Sequence, residues 1–508
     1  MQLKNVSFKL EYIYSGLLPI FGLLVYLYYI SFQFGIHNDY RALDRLINID
    51  DIKSFYDIFY HVESVHLLVI GRPLNAILFN LQQMTITSID SFRLWRIFSA
   101  LTLVSALVIF YDANKRIGLC KLRNRLVFLI LFMPASIVYI FWVTNFVPGS
   151  LTVCISATAY WLMSRCLIKK TWFYQSSGIL VTTICMLIYP PCALSIIIPA
   201  GLYCLYGNDL IIIKRIVRYS IIWLASSFIV SFALNKLVFF KLFAMHYGSS
   251  FVSYNPSQYN YSIGITPALI ANVFSSLMVG LETVFVDNYL LAFLCAAIIC
   301  VGLFLYSVKI RILSRVHNKT LVWKDSRIRS FFILYAISFA PALVTKSFVA
   351  YRLLFAMSAL TLFLIIFSLS NLIQFFWIRR RFIRNLVSCS IVGVYIYQFS
   401  NLTGLYVKNS VTEYNISKNA LINIPQRENI LIRIAHEPDG TQFSSQSLLY
   451  EMGYTATTHG TPIYSILHFA ASDLGISRYK YQIDETQHFC GIKHETDDDG
   501  FFEVRICL

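Results

Sequence analysis

Acidic and basic side chains gather where the first long apolar run ends: Gly35-Ile36-His37-Asn38-Asp39-Tyr40-Arg41, then Asp44 and Arg45, then Gly71-Arg72-Pro73. Ionisable groups are costly beside hydrocarbon, so those placed at its edge are candidates for function. A carboxylate there can take a proton from a hydroxyl, which is general-base chemistry. A guanidinium nearby can hold two phosphate oxygens in its fork. The plainer alternative for Asp39 and Arg41 is a solvated loop acid and an arginine reaching for water. Asp39 follows the apolar run so closely that the two readings weigh equally, whereas Asp50, Asp51 and Asp57 read as solvated. A second group is Lys346 with Tyr351 and Arg352, before a late apolar run. Arg352 falls at the level of a lipid phosphate, and its plainer role is an interfacial anchor.

Such residues need elements to hold them, and the composition says which. Of 508 residues 57% are hydrophobic and 13% charged, with mean hydropathy +0.62. A soluble chain carries roughly a quarter charged residues, so a soluble multidomain enzyme is excluded. Apolar runs approaching the ~20 residues that cross a bilayer predict eleven spans. They are Tyr12–Phe34, Leu94–Tyr111, Leu126–Val143, Ser150–Ile168, Trp172–Tyr189, Cys192–Tyr206, Tyr219–Leu234, Tyr289–Val308, Phe331–Val344, Leu353–Leu372 and Leu386–Phe399. Tyr12–Phe34 is too long for a signal-peptide core and lacks a small-residue cleavage site. Pro190-Pro191 divides an otherwise continuous run.

The net charge of +16 does not point to nucleic acid. Residues 1–400 hold 34 Lys/Arg against 13 Asp/Glu, and 24 of these cations fall in loops on one side. The positive-inside rule makes that side cytoplasmic, with the N-terminus. The expected architecture is therefore a polytopic α-helical membrane protein of about eleven spans over residues 1–400. Outer loops are expected at 35–93 and 235–288. A helix beginning at Pro73 should lie on the outer surface, with Leu74, Ile77, Leu78 and Leu81 on its apolar side and Asn75, Gln82 and Gln83 opposite.

From Asn401 the apolar runs stop, and 401–508 reads as a small extracytoplasmic α+β domain. Asn429–Ala435 and Tyr479–Ile483 read as strands and Ile463–Leu474 as a helix. Asp497-Asp498-Asp499-Gly500 reads as a hairpin turn. A four-residue loop would set Thr496 opposite Phe501 and Cys490 opposite Cys507, which predicts a disulfide in an oxidising compartment. No nucleotide loop, dinucleotide fingerprint, zinc motif or serine elbow occurs. His61 and His66 are poorly spaced for one metal, so neither metal nor cofactor is expected.

An acid closing the first span, a long first outer loop with a surface helix, and an arginine before a late span together resemble the GT-C membrane glycosyltransferases. Asn38-Asp39…Arg41 followed by Gly71-Arg72-Pro73 resembles, within them, the serotype-converting glucosyltransferases that modify bacterial O-antigen. Many of those enzymes carry two adjacent acids where this chain has Asn38-Asp39. The resemblance implies a sugar, glucose in that group, carried on undecaprenyl phosphate at the periplasmic face of the inner membrane. Asp39, with Asp44 as its substitute, would be the catalytic carboxylate. Arg72, Arg352, Arg41 and Lys346 would bind donor phosphate. It further implies an O-antigen or lipid-linked glycan acceptor, surrounding membrane lipids, and dependence on a donor synthase and a flippase.

An O-antigen polymerase is the nearest rival, but the 235–288 loop has only Lys236 and Lys241 and no arginine. A transporter or lipid-linked-sugar flippase would favour mid-span polar residues and repeated halves, whereas the sequence shows no internal repeat and its acidic residues cluster in loops.

Overall fold

The computed structural model describes residues 19–35, 39, 67, 71–86, 89–242, 271, 273–274, 276–278, 289–317, 326–341, 353–376, 381–422, 430–435, 483–484, 494–496 and 502–507. Its helices are α1 (Pro19–Ile30), α2 (Pro73–Gln83), α3 (Ile89–Arg116), α4 (Pro134–Phe141), α5 (Thr152–Lys169), α6 (Trp172–Ile188) and α7 (Ile197–Tyr206). They continue with α8 (Leu210–Leu234), α9 (Tyr289–His317), α10 (Ser326–Ile337), α11 (Phe355–Phe376) and α12 (Arg381–Ile422). A helix overlaps every span expected from the sequence. Among the described residues, four helical stretches are long and apolar enough to cross a membrane: Ile89–Arg116, Val143–Lys169, Leu210–Leu242 and Phe355–Phe375.

Their faces are arranged for lipid. On α3, Leu94, Phe98, Leu101 and Val108 point outward, whereas Arg96, Ser99 and Asn114 are buried. Water would reverse that distribution, so the coarse reading of a helical membrane protein stands. Inside, polar side chains tie helices together. Ser99 donates to the Tyr139 carbonyl at 2.6 Å, and Tyr160 donates to Asn114 at 2.7 Å.

Local chemistry explains where helices break. The third expected span is two pieces, a 3-10 segment Arg125–Phe132 and then α4, because Pro134 cannot donate to the preceding turn. Tyr189 adopts an extended conformation before Pro190-Pro191, which divides α6 from a short helical turn leading into α7. Phe146–Leu151 forms a π-helical turn, with Gly149 pressed against the Tyr139 ring. Asp209 caps α8 by accepting from the backbone N–H groups of Ile211 and Ile212 at 2.8 and 3.2 Å.

Small residues permit close helix contact, as lipid-embedded packing requires. At Gly302 on α9 a Cβ would lie 2.5 Å from the Ser368 carbonyl oxygen and 2.6 Å from its Cα on α11. Backbone cannot step aside as a flexible side chain can. Gly302→Ala is therefore expected to cost about 1–3 kcal/mol, read as a lower unfolding midpoint in detergent. An unchanged midpoint would show that α9 and α11 separate freely.

The last helix differs from expectation. Instead of a short span ending at Phe399, α12 is one helix of 42 residues that passes position 401 without a break. At ~1.5 Å per residue it is about 63 Å long. Beyond it, β1 (Ile430–Ala435), β2 (Ile483–Asp484), β3 (His494–Thr496) and β4 (Phe502–Cys507) form a sheet of order β2-β1-β4-β3. Strand β1 pairs in parallel with both β2 and β4. The hairpin register is one residue away from the expected one. Thr496 faces Phe502, Glu495 faces Glu503 and His494 faces Val504. Five residues rather than four therefore separate the paired positions, and a single-residue slip moves every side chain to the other face. The expected Cys490–Cys507 pairing involves Cys490, which lies outside the described residues, as does the expected helix Ile463–Leu474.

Candidate functional site

The site forms where α1, α3 and α4 end together. Arg96, about two turns into α3, is fully buried, and its guanidinium joins separate segments of chain. Nε donates to the Phe141 carbonyl at 2.9 Å and Nη2 to the Phe34 carbonyl at 2.7 Å. The Phe34 ring lies beneath it, 3.7 Å from Cζ. Asp39 is equally buried, with Oδ2 3.9 Å from Arg96 Nη2. Its carboxylate accepts from the backbone N–H groups of Val143 and Thr144, at 3.2 and 3.0 Å. These donors exist because the helix stops at Phe141: Trp142 is extended and Val143–Asn145 turn, leaving amides that need an acceptor. In this conformation Asp39 thus fixes the 142–145 turn and offsets the Arg96 charge, and neither oxygen faces solvent.

Arg72 is positioned by its neighbours. Gly71 supplies a positive φ of 84°, and Pro73 starts α2 with φ already set. A side chain at 71 would also crowd Asn235, whose Nδ2 lies 3.1 Å from where a Cβ would stand. The Arg72 guanidinium lies over the Tyr189 ring with its Cζ 4.5 Å from the centroid. Among the described residues no carboxylate or carbonyl accepts from it. It remains a half-buried cation on an aromatic face with its fork uncommitted.

Helix α2 lies between these two features, and its orientation corrects the sequence reading. The helix is present where expected, but its polar side is turned inward rather than solvated. Asn75, Gln82 and Gln83 are at most 4% exposed, and Asn80 is buried, while Leu81 and Met84 face outward. Leu74 and Leu78 pack against the core. The open turn explains the reversal: Val143 offers a carbonyl, and Gln82 Nε2 donates to it at 2.8 Å. An outward leucine costs nothing against lipid, whereas an outward amide there would. Val143 therefore receives Gln82 at its carbonyl and Asp39 at its N–H, joining α2 to the ion pair.

Among the described residues several buried amide atoms have no partner: both ends of Gln83, Asn75 Oδ1, Gln82 Oε1 and Asn235 Oδ1. Orphaned buried polar atoms are rare and call for an explanation. Sequence reasoning missed Arg96, although an arginine inside an apolar span signals a buried partner. It also missed the amides as a site. Of the other expected residues, Asp44, Arg41, Lys346 and Arg352 lie outside the described residues. Among the described residues no cluster of three or more His, Cys, Asp or Glu could hold a metal ion. No family model matches the chain, and no curated protein matches it.

Proposed function

We propose that the protein transfers a sugar, glucose by resemblance, from undecaprenyl phosphate to an O-antigen or lipopolysaccharide unit at the periplasmic face of the bacterial inner membrane. The observation that carries this reading is the pairing of an uncommitted Arg72 guanidinium with a buried carboxylate site, Asp39–Arg96, at one end of an apolar helical bundle. A lipid-linked phosphate reaches such a cation from the bilayer side, and the phosphate leaves with its charge held by the guanidinium. An acceptor hydroxyl attacks the anomeric carbon with inversion, its proton passing to a carboxylate. Asp39 serves as that base once substrate draws it from the 142–145 turn, and Asp44 is the alternative. The leaving phosphate already activates the sugar, so the scheme requires neither nucleotide nor metal. The distribution of loop cations supports a cytoplasmic N-terminus, and with it an outer-side position for this bundle end and the sheet.

The test is the structure of lipopolysaccharide from a host expressing the chain, with and without its lipid-linked sugar supply. A side-branch hexose should appear only when chain and donor are both present. Altered polymer length without a branch would support the polymerase, and donor movement without transfer would support a flippase. No change in a host that supplies donor and acceptor would remove the transferase reading.

A further inference from the structure

The geometry points to the inward face of α2 as a surface that reads the hydroxyls of a sugar ring. Asn75 and Gln82, seven residues apart, lie with the adjacent Gln83 along one side of an eleven-residue helix, and Asn235 abuts its N-terminal end at Gly71. The inference rests on the transferase reading for the kind of ligand and adds the group that recognises it.

The argument starts from what these side chains lack. Gln83 is 4% exposed, yet neither its oxygen nor its nitrogen has a partner. Asn75, Gln82 and Asn235 each hold a buried oxygen in the same state. A fold that buried these groups only for packing would do better with leucine or methionine, because an orphaned amide carries an uncompensated desolvation cost. A primary amide donates through nitrogen and accepts through oxygen, and a sugar hydroxyl does both. Neighbouring hydroxyls on a ring can therefore meet one amide with two hydrogen bonds. A phosphate alone, which only accepts, would leave the four orphaned oxygens unmatched. The row also runs from Arg72, at the start of α2, toward Gln82, whose carbonyl partner Val143 holds Asp39. In a donor the phosphate is bonded to the reacting carbon itself, so a ring lying along the row would hold both at the Arg72 end and turn its hydroxyls toward the amides.

The ring could belong to the donor or to the acceptor, so both enter the test. Full-length wild-type protein and Gln83→Leu are placed in lipid nanodiscs. Binding is measured for a short-chain polyprenyl-phosphate glucose, for the same polyprenyl phosphate without sugar, and for a soluble oligosaccharide of the host lipopolysaccharide. Gln83→Leu should melt at or above the wild-type temperature without ligand, and bind one sugar-bearing probe about tenfold more weakly, the worth of one or two hydrogen bonds. Bare polyprenyl phosphate should bind unchanged. Loss for the lipid-linked probe assigns the row to the donor ring, and loss for the oligosaccharide assigns it to the acceptor. Gln83→Met, closer in shape, serves if leucine fails to fold. Wild-type binding of a sugar probe that both variants retain overturns the inference alone. A wild type that binds no sugar-bearing probe overturns the transferase reading together with it.

Discussion

Replacement of Arg96 by methionine is expected to cost about 3–5 kcal/mol, because breaking a buried ion pair leaves the remaining charge without compensation. The guanidinium also satisfies the Phe34 and Phe141 carbonyls, so three chain segments lose a common anchor. Asp39→Asn alone should be comparably harmful, since it leaves Arg96 charged inside the bundle. The double variant Asp39→Asn/Arg96→Met should recover half or more of the loss, because no charge is then buried and the asparagine oxygen can still accept from Val143 or Thr144. Unfolding in mixed micelles, with membrane abundance as a second readout, checks all three. Additive losses in the double variant would mean that the two side chains do not act as a pair. The folded double variant then answers a separate question: loss of transfer gives Asp39 a part in the chemistry, and wild-type transfer limits it to positioning the turn.

Arg72→Gln is expected to lower transfer by about 100- to 1000-fold, the scale for removing a preorganised group that stabilises developing charge. Stability should fall by no more than ~1 kcal/mol, the worth of a partly exposed cation–π contact with Tyr189. Arg72→Lys should restore only part of the rate, because an ammonium keeps the charge and loses the fork. Turnover of polyprenyl-phosphate glucose by purified variants, with unfolding measured on the same samples, separates the two effects. A glutamine variant with full turnover would remove Arg72 from donor binding.

Much of this architecture is legible in the residues because lipid imposes a simple rule. Runs such as Leu94–Tyr111 and Tyr289–Val308 announce helices by apolarity alone, and Pro190-Pro191 marks a true break. What sequence reading lost depends on distant partners. Nothing near Arg96 reveals that carbonyls 62 and 45 positions away will receive it. The apolar and polar sides of α2 are plain from spacing, but which side turns inward is decided by the open carbonyl of Val143. The length of α12 was obscured because its second half is ordinary polar helix rather than apolar run. The hairpin slipped by one residue because a turn sequence fixes the bend better than the pairing that follows.

The packing of the first helix against the last carries a consequence for the order in which the molecule is made. Tyr26 on α1 donates to the Leu131 carbonyl at 2.5 Å and meets the Phe141 ring, so α1 finds its first partners early in synthesis. Further contacts come from α12: Phe399 lies edge-on to Tyr26, and Tyr29 reaches the Ser400 carbonyl 371 positions away. At ~5–20 residues per second the ribosome needs about 20–75 s to supply that partner. For that interval the flank of α1 that meets Phe399 and Ser400 must be covered by lipid or by the insertion machinery. A nascent chain halted before residue 399 would leave the same flank exposed to any helix in the bilayer able to occupy it.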